Sequence, residues 1–237
     1  MTIFTITYNE ELMLPYFIEH YRLRFPNCKI VVYDNESTDD TVKIALKNDC
    51  EVITYKTNGK LDDTTYLEIK NNCWKNCKGW VIVCDCDELI DVSDYILTLE
   101  SNEGATLIRF NAFNMVNMVN MANDLNIDGI KHGIRTESYD KSYCFDTRFI
   151  SEINYSAGCH SASPIGSKIA YSNSIYFAYH YKYINADYMV NRHANFAKRL
   201  SEINIKKGYG GHYLQTETQI RNEFLNAQSK AKLIWTK

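Results

Sequence analysis

VIVCDCDELI, residues 81–90, is an apolar, β-rich run that leads straight into Asp85, Asp87 and Glu88. In an extended chain side chains alternate, so Asp85 and Asp87 face one way and Cys84 and Cys86 the other. Two neighbouring carboxylates repel each other. They need solvent, a neutralising partner or a shared cation.

Outward from that stretch, residues 2–7 (TIFTIT), 29–33 (KIVVY), 50–55 (CEVITY), 79–84 (GWVIVC) and 105–110 (ATLIRF) are further short β-rich runs. Three helices are expected between them. The first starts near Pro15 and buries Phe17, Ile18 and Tyr21 on one face. The second has Ser37 or Thr38 as its cap and carries Val42, Ile44 and Ala45, and the third covers about 64–77. Strands and helices that alternate with short connections predict an α/β fold, a mainly parallel central sheet flanked by helices. From about Asn185 the sequence reads as a C-terminal helical segment, ADYMVNRHANFAKRLSEI followed by TETQIRNEFLNAQSKAKLI. The expected organisation is one domain over 1–184, with halves 1–110 and 111–184, and an extension over 185–237 packed on it.

With 45% hydrophobic and 23% charged positions in 237 residues, the chain suits a globular domain with a sizeable core. A formal net charge of -3 gives no broad basic field for nucleic acid. No apolar run approaches the roughly 18 residues needed to span a membrane, and the start reads as a strand rather than a signal peptide. Eight cysteines without framework spacing fit reduced thiols, so a cytoplasmic location is expected.

Open parallel sheets bind ligands at the carboxyl ends of their strands. Three polar segments fall there: Thr7, Tyr8, Asn9 and Glu10; Asp34, Asn35, Glu36 and Ser37; and Asp85 to Glu88. The glycine fingerprint of a dinucleotide fold is missing, and Asn58-Gly59-Lys60 lacks the rest of a phosphate loop. A nucleotide together with a divalent metal is the simplest joint explanation.

TITYNEELMLPYFIEHY, VVYDNESTDDT and VIVCDCDEL, in that order, resemble the nucleotide-sugar half of GT-A fold glycosyltransferases of the broad family-2-like group, with Asp85-Cys86-Asp87 as a DXD element. They are also similar to small glycosyltransferases of large DNA viruses. The resemblance covers residues 1–90 well and extends loosely through YDKSYCF (139–145), GCH (158–160) and YHYKYINADY (179–188). It implies a sugar nucleotide, a UDP-sugar first among them, bound by Thr7, Tyr8, Asn9, Glu10 and Asp34, with Lys70 and Asn71 towards the donor and Lys141 able to orient phosphates. It implies Mn²⁺ or Mg²⁺ on Asp85 and Asp87, with His180 as first choice and His160 as second for a completing ligand. The acceptor would be a glycan, protein or lipid hydroxyl.

Sugar transfer makes the anomeric carbon oxocarbenium-like while charge collects on the leaving diphosphate, so a fixed cation stabilises the transition state. The family-2-like pattern implies inversion, which needs a base; Glu137 and Asp140 are the nearest acids in position. Each residue has a plainer reading. Asp34 could cap the helix near Ser37, Lys70 could be solvated, and the histidines could be ordinary hydrogen-bonded ones. A sugar nucleotidyltransferase and an inactive nucleotide-sugar or glycan-binding module stay as alternatives. Four thiols, Cys73, Cys77, Cys84 and Cys86, do not have zinc-knuckle spacing. NMVNMVNMAN (114–123) is expected as a loop or short helix, and KKGYGGHY (206–213) as a loop able to fold over the site.

Overall fold

The computed structural model describes residues 1–119 and 127–234. The first half alternates as the sequence predicts: β1 (Thr2–Thr7), α1 (Leu14–Arg24), β2 (Lys29–Asp34), α2 (Thr41–Lys47), β3 (Glu51–Thr54), α3 (Asp63–Asn72) and β4 (Trp80–Val83). Then follow β5 (Glu88–Ile90), α4 (Asp94–Asn102), β6 (Leu107–Val116), β7 (His132–Arg135), β8 (Cys144–Asp146), β9 (Ile150–Glu152), β10 (Ile165–Gly166) and β11 (Tyr171–Tyr183). Helices α5 (Ala186–Arg199), α6 (Glu202–Lys207) and α7 (Glu217–Lys230) precede β12 (Lys232–Leu233).

The sheet order is β12-β7-β6-β8-β4-β1-β2-β3, with β11 beside β6 and β5. Strands β4, β1, β2 and β3 run parallel, whereas β8 joins β4 antiparallel and β11 runs parallel to β6. Alternation along the inner strands explains why both sheet faces are covered. Ile3, Ile30, Val32 and Ile82 pack with Leu14, Phe17 and Tyr21 of α1. Phe4, Val31, Val81 and Val83 point the other way, onto Trp74 and Phe145. Each such fully buried side chain contributes about 1.5–3 kcal/mol.

Several boundaries differ from the sequence reading. Helix α2 starts at Thr41 with Asp40 as its cap residue, not Ser37 or Thr38, because those two hydroxyls are drawn across to Asn9. Helix α3 ends at Asn72, and the Trp74 carbonyl takes the Cys77 N–H in a turn. Within NMVNMVNMAN, Asn114–Val116 continue β6 rather than form a loop or helix, since their alternation serves the β6–β7 ladder; residues 120–123 lie outside the described residues. The C-terminal helices dock through Val116, Tyr183, Met189, Ile220 and Phe224. Among the described residues no helix is long and apolar enough to cross a membrane.

Candidate active site

The β4 end is where the strand geometry matters most. Cys84 and Cys86 are buried, while Asp85 and Asp87 both reach a cavity of about 460 Å³. The acid turn closes on itself: Glu88 N–H donates to the Asp85 carbonyl (3.0 Å), and the Glu88 carboxylate accepts the Asp85 N–H (2.9 Å). Glu88 therefore points inward, only 1% exposed. Antiparallel pairing of β5 with β11 sets His180 opposite Glu88, and the Asp87 carbonyl takes the Tyr181 N–H (2.8 Å). That register carries His180 to the acids from almost a hundred residues away.

Two lysines hold Asp85. Lys70 Nζ of α3 lies 2.6 Å from one carboxylate oxygen and Lys141 Nζ 3.4 Å from the other, with Lys141 also 2.5 Å from Glu88. Both lysines are buried. Burial opposes their charge, but Asp85 and Glu88 outweigh it, and both lysines titrate above their ordinary value. Burial likewise acts to raise Asp85, yet Lys70 and Lys141 hold its carboxyl well below the usual carboxylate range.

The second acid, Asp87, faces a different set. Arg192 of α5 lies 3.3 Å from Asp87 and 2.6 Å from Glu10, its guanidinium stacked near the rings of Tyr188 and Phe196. Burial, then the nearby Asp87, push Glu10 up to about 7 against the pull of Arg192. One Glu10 oxygen, Oε2, is buried without a hydrogen-bond partner among the described residues. His180 Nε2 stands 3.7 Å from Asp87 Oδ2. This is no ion pair, because burial lowers the imidazole to about 4 despite Asp87. The neutral ring donates Nδ1–H to Asn114 Oδ1 (2.7 Å), which leaves the Nε2 lone pair facing the Asp87 carboxylate.

Charge accounting at this cavity is unequal. Glu10, Asp63, Asp85, Asp87 and Glu88 supply five carboxylates against the three cations Lys70, Lys141 and Arg192, so full ionisation leaves two negative charges. A second cavity of about 280 Å³ adjoins the first and shares Asp87, Tyr139, His160, His180, Arg192, His212 and Tyr213 with it.

Of the residues singled out in the sequence, Glu10, Lys70, Asp85, Asp87, Lys141, His160 and His180 converge on the cavity. The others do not line it. Asn71 accepts the Tyr155 N–H (2.8 Å), and Asn9 bridges to Ser37 and Thr38. Thr7 is buried opposite Asp34 in the β1–β2 register, and Asp34 accepts the Ser37 N–H at 3.2 and 3.4 Å. Tyr8 is covered by the Arg199 guanidinium, 3.1 Å from its ring centre. Glu137 and Asp140 also lie outside both cavities, and Asp140 is turned to the Ala112 N–H and to Arg135.

Arg192, Asp63 and the inward role of Glu88 were missed. Arg192 had a signal: Tyr188, Arg192 and Phe196 recur at four-residue spacing, a cation between two aromatics on one helix face.

Residues 2–96 match the family model described as Glycosyl transferase family 2, a span that runs from β1 past the acid turn into α4. The match covers the parallel half of the sheet and the acid turn, less than half of the chain. Among solved structures it is similar to S. aureus TarS, at 15% identity and a TM-score of 0.43, covering 95% of this chain and 43% of that one. It is also similar to TarS 1-349 in complex with UDP-GlcNAc, at 16% identity and a TM-score of 0.40, covering 95% and 71%. A third is glucosyl-3-phosphoglycerate synthase from Mycobacterium tuberculosis in complex with Mn²⁺, UDP and glucosyl-3-phosphoglycerate, at 15% identity and a TM-score of 0.34, covering 47% and 43%. The chain thus spans less than half the length of the full TarS chain. No curated protein matches it.

Proposed function

We propose that the chain transfers a sugar from a nucleoside-diphosphate sugar, UDP-linked, to an acceptor hydroxyl with inversion, and that it uses Mn²⁺ or Mg²⁺. The observation that carries this reading is the facing pair Asp87 and His180, a carboxylate and a neutral imidazole lone pair 3.7 Å apart at a cavity whose carboxylates outnumber its cations. The orphaned Glu10 oxygen beside them fits the same demand for a cation. Among the described residues no three His, Cys, Asp or Glu side chains form a complete cage. A divalent cation that serves a diphosphate takes one or two protein carboxylates and completes its shell with phosphate oxygens. Such an ion supplies positive charge to the leaving group.

The chain's own residues do the rest. Lys70 and Lys141 are fixed buried cations at the strand end, preorganised towards a developing diphosphate charge. Asp85 holds both ammonium groups in place, and Glu88 anchors Lys141 from beneath. Asp34 keeps acceptor capacity for a uracil N–H or a ribose hydroxyl beside Tyr8, and Thr7 and Asn9 shape that corner.

Incubation with a panel of UDP-sugars and Mn²⁺, with free nucleotide and diphosphate measured, tests the reading. A transferase releases UDP; release of inorganic diphosphate during sugar-nucleotide synthesis would make it a nucleotidyltransferase, and binding without any product would make it a binding module.

A further inference from the structure

The segment Ser156–Ser161 is a tight turn that holds one imidazole in one place. Ser161 donates from its N–H (3.2 Å) and its hydroxyl (2.8 Å) to Ser156 Oγ, and Ser156 N–H returns to the Ser161 carbonyl (3.0 Å). The Cys159 N–H bonds the Ser156 carbonyl (2.8 Å). Gly158 and Cys159 are both left-handed, at φ +69° and +57°. For a cysteine that conformation is uphill, and backbone strain of this kind collects at functional sites. A Cβ at Gly158 would lie 2.6 Å from His160 Cδ2 and 2.7 Å from Nε2, so glycine is what lets the ring sit against the turn.

The ring that results is set up as a base. His160 Nδ1 lies 2.7 Å from the Ser138 carbonyl oxygen, which can only accept, so Nδ1 carries the proton and Nε2 keeps its lone pair. Nε2 has no hydrogen-bond partner among the described residues, and the residue lines both cavities. Tyr139 stands edge-on to it at 5.1 Å and separates it from His180, on which Tyr139 stacks at 4.1 Å. The carboxylates of the cavity are engaged elsewhere: Asp85 by two lysines, Asp87 and Glu10 by Arg192, and Asp63 by Asn204. His193 and His212 have no backbone carbonyl fixing their tautomer among the described residues.

We propose that His160 is the general base of the transfer, an assignment that rests on the transferase reading above. The acceptor hydroxyl gives its proton to Nε2 while its oxygen forms the bond to the anomeric carbon. The bond from that carbon to the diphosphate breaks, with its electron pair going to the phosphate oxygen, and the imidazolium afterwards returns its proton to solvent. Burial, Lys141 and Lys70 of α3 lower its pKa, the Ser138 carbonyl and Asp85 raise it, and the net direction is downward; His212 faces it from the loop after α6.

The test follows UDP release from UDP-glucose, UDP-galactose and UDP-N-acetylglucosamine with Mn²⁺, water standing in as acceptor, across pH. His160→Asn keeps an amide donor for the Ser138 carbonyl and removes the base. Expected is a fall of about 100-fold or more in kcat, unchanged UDP affinity by calorimetry, and loss of the acidic limb that wild type shows below the ordinary imidazole range. Gly158→Ala, which pushes the ring aside, should lose kcat likewise with UDP binding kept. Wild-type rate and limb in His160→Asn, or a parallel loss of UDP affinity and kcat, overturns the base assignment while the transferase stands. A wild type that neither binds UDP nor releases it removes both.

Discussion

At the β1 and β2 ends of the rim, Asn9 bonds Ser37 and Thr38, Asp34 takes the Ser37 N–H, Asp39 accepts the Glu11 N–H and Glu11 accepts the Asp40 N–H. At the β4 end, by contrast, three carboxylates within four residues recruit Lys70, Lys141, Arg192 and His180 from four separate segments. In sequence the two ends look alike, as short polar clusters after apolar runs. The difference lies in what can be satisfied locally. Hydroxyls and amides pair across neighbouring turns, whereas a block of like charges cannot neutralise itself and imposes demands on distant parts of the chain.

The largest expected effect breaks the charged end at its most buried pair. Lys141→Met leaves Glu88, 1% exposed, without its cation. Removing one partner of a buried pair costs about 3–5 kcal/mol, and thermal and denaturant unfolding should both show it. An unchanged stability would mean that Glu88 is protonated in the native protein and that the two ends of the rim differ less than their geometry indicates.

Next in size is a pH effect. Glu10 titrates near 7 in the fold against its ordinary 4.5, so the native state holds a proton that the unfolded chain has already lost. Its contribution is present below the ordinary value and disappears as pH rises through about 7. On the order of 1–3 kcal/mol of stability should be lost between those limits. Glu10→Gln should flatten that part of the metal-free stability profile; a slope that persists in the variant assigns it to another group.

The smallest effect sharpens the contrast at the quiet end. Asp34→Ala removes an acceptor for one turn N–H, a loss of about 1 kcal/mol in stability. If Asp34 also meets the nucleoside, UDP affinity falls too, by about 1.5–3 kcal/mol for a charged hydrogen bond. A folded variant with full UDP affinity leaves Asp34 as a turn residue only.

The parallel strands, the three first helices and the acid turn were legible because each is a local pattern: an apolar run of five or six residues, a Pro-led amphipathic stretch, or acids after a strand. Lys70 on its helix read as easily solvated as buried, since one lysine does not reveal that a neighbouring strand ends on Asp85. Asp34 and Asp85 read alike for the same reason. The far wall was illegible because long-range register builds it: β11 places His180 against β5 and β6 at once, and α5 brings Arg192 across more than a hundred residues to Asp87. Helical periodicity showed that α5 buries a face, but not that the face ends at a cavity.

The central claim is that Asp87 and His180 share a cation with a bound diphosphate. Calorimetric titration of UDP into wild type and Asp87→Asn, each with and without Mn²⁺, measures this directly, with thermal unfolding as a check that the variant is folded. Mn²⁺ is expected to raise the UDP affinity of wild type by tenfold or more, about 1.4 kcal/mol, and Asp87→Asn to lose this gain while keeping the weaker metal-free affinity. Equal Mn²⁺-dependent gains in the two proteins, or none in wild type, would contradict that claim.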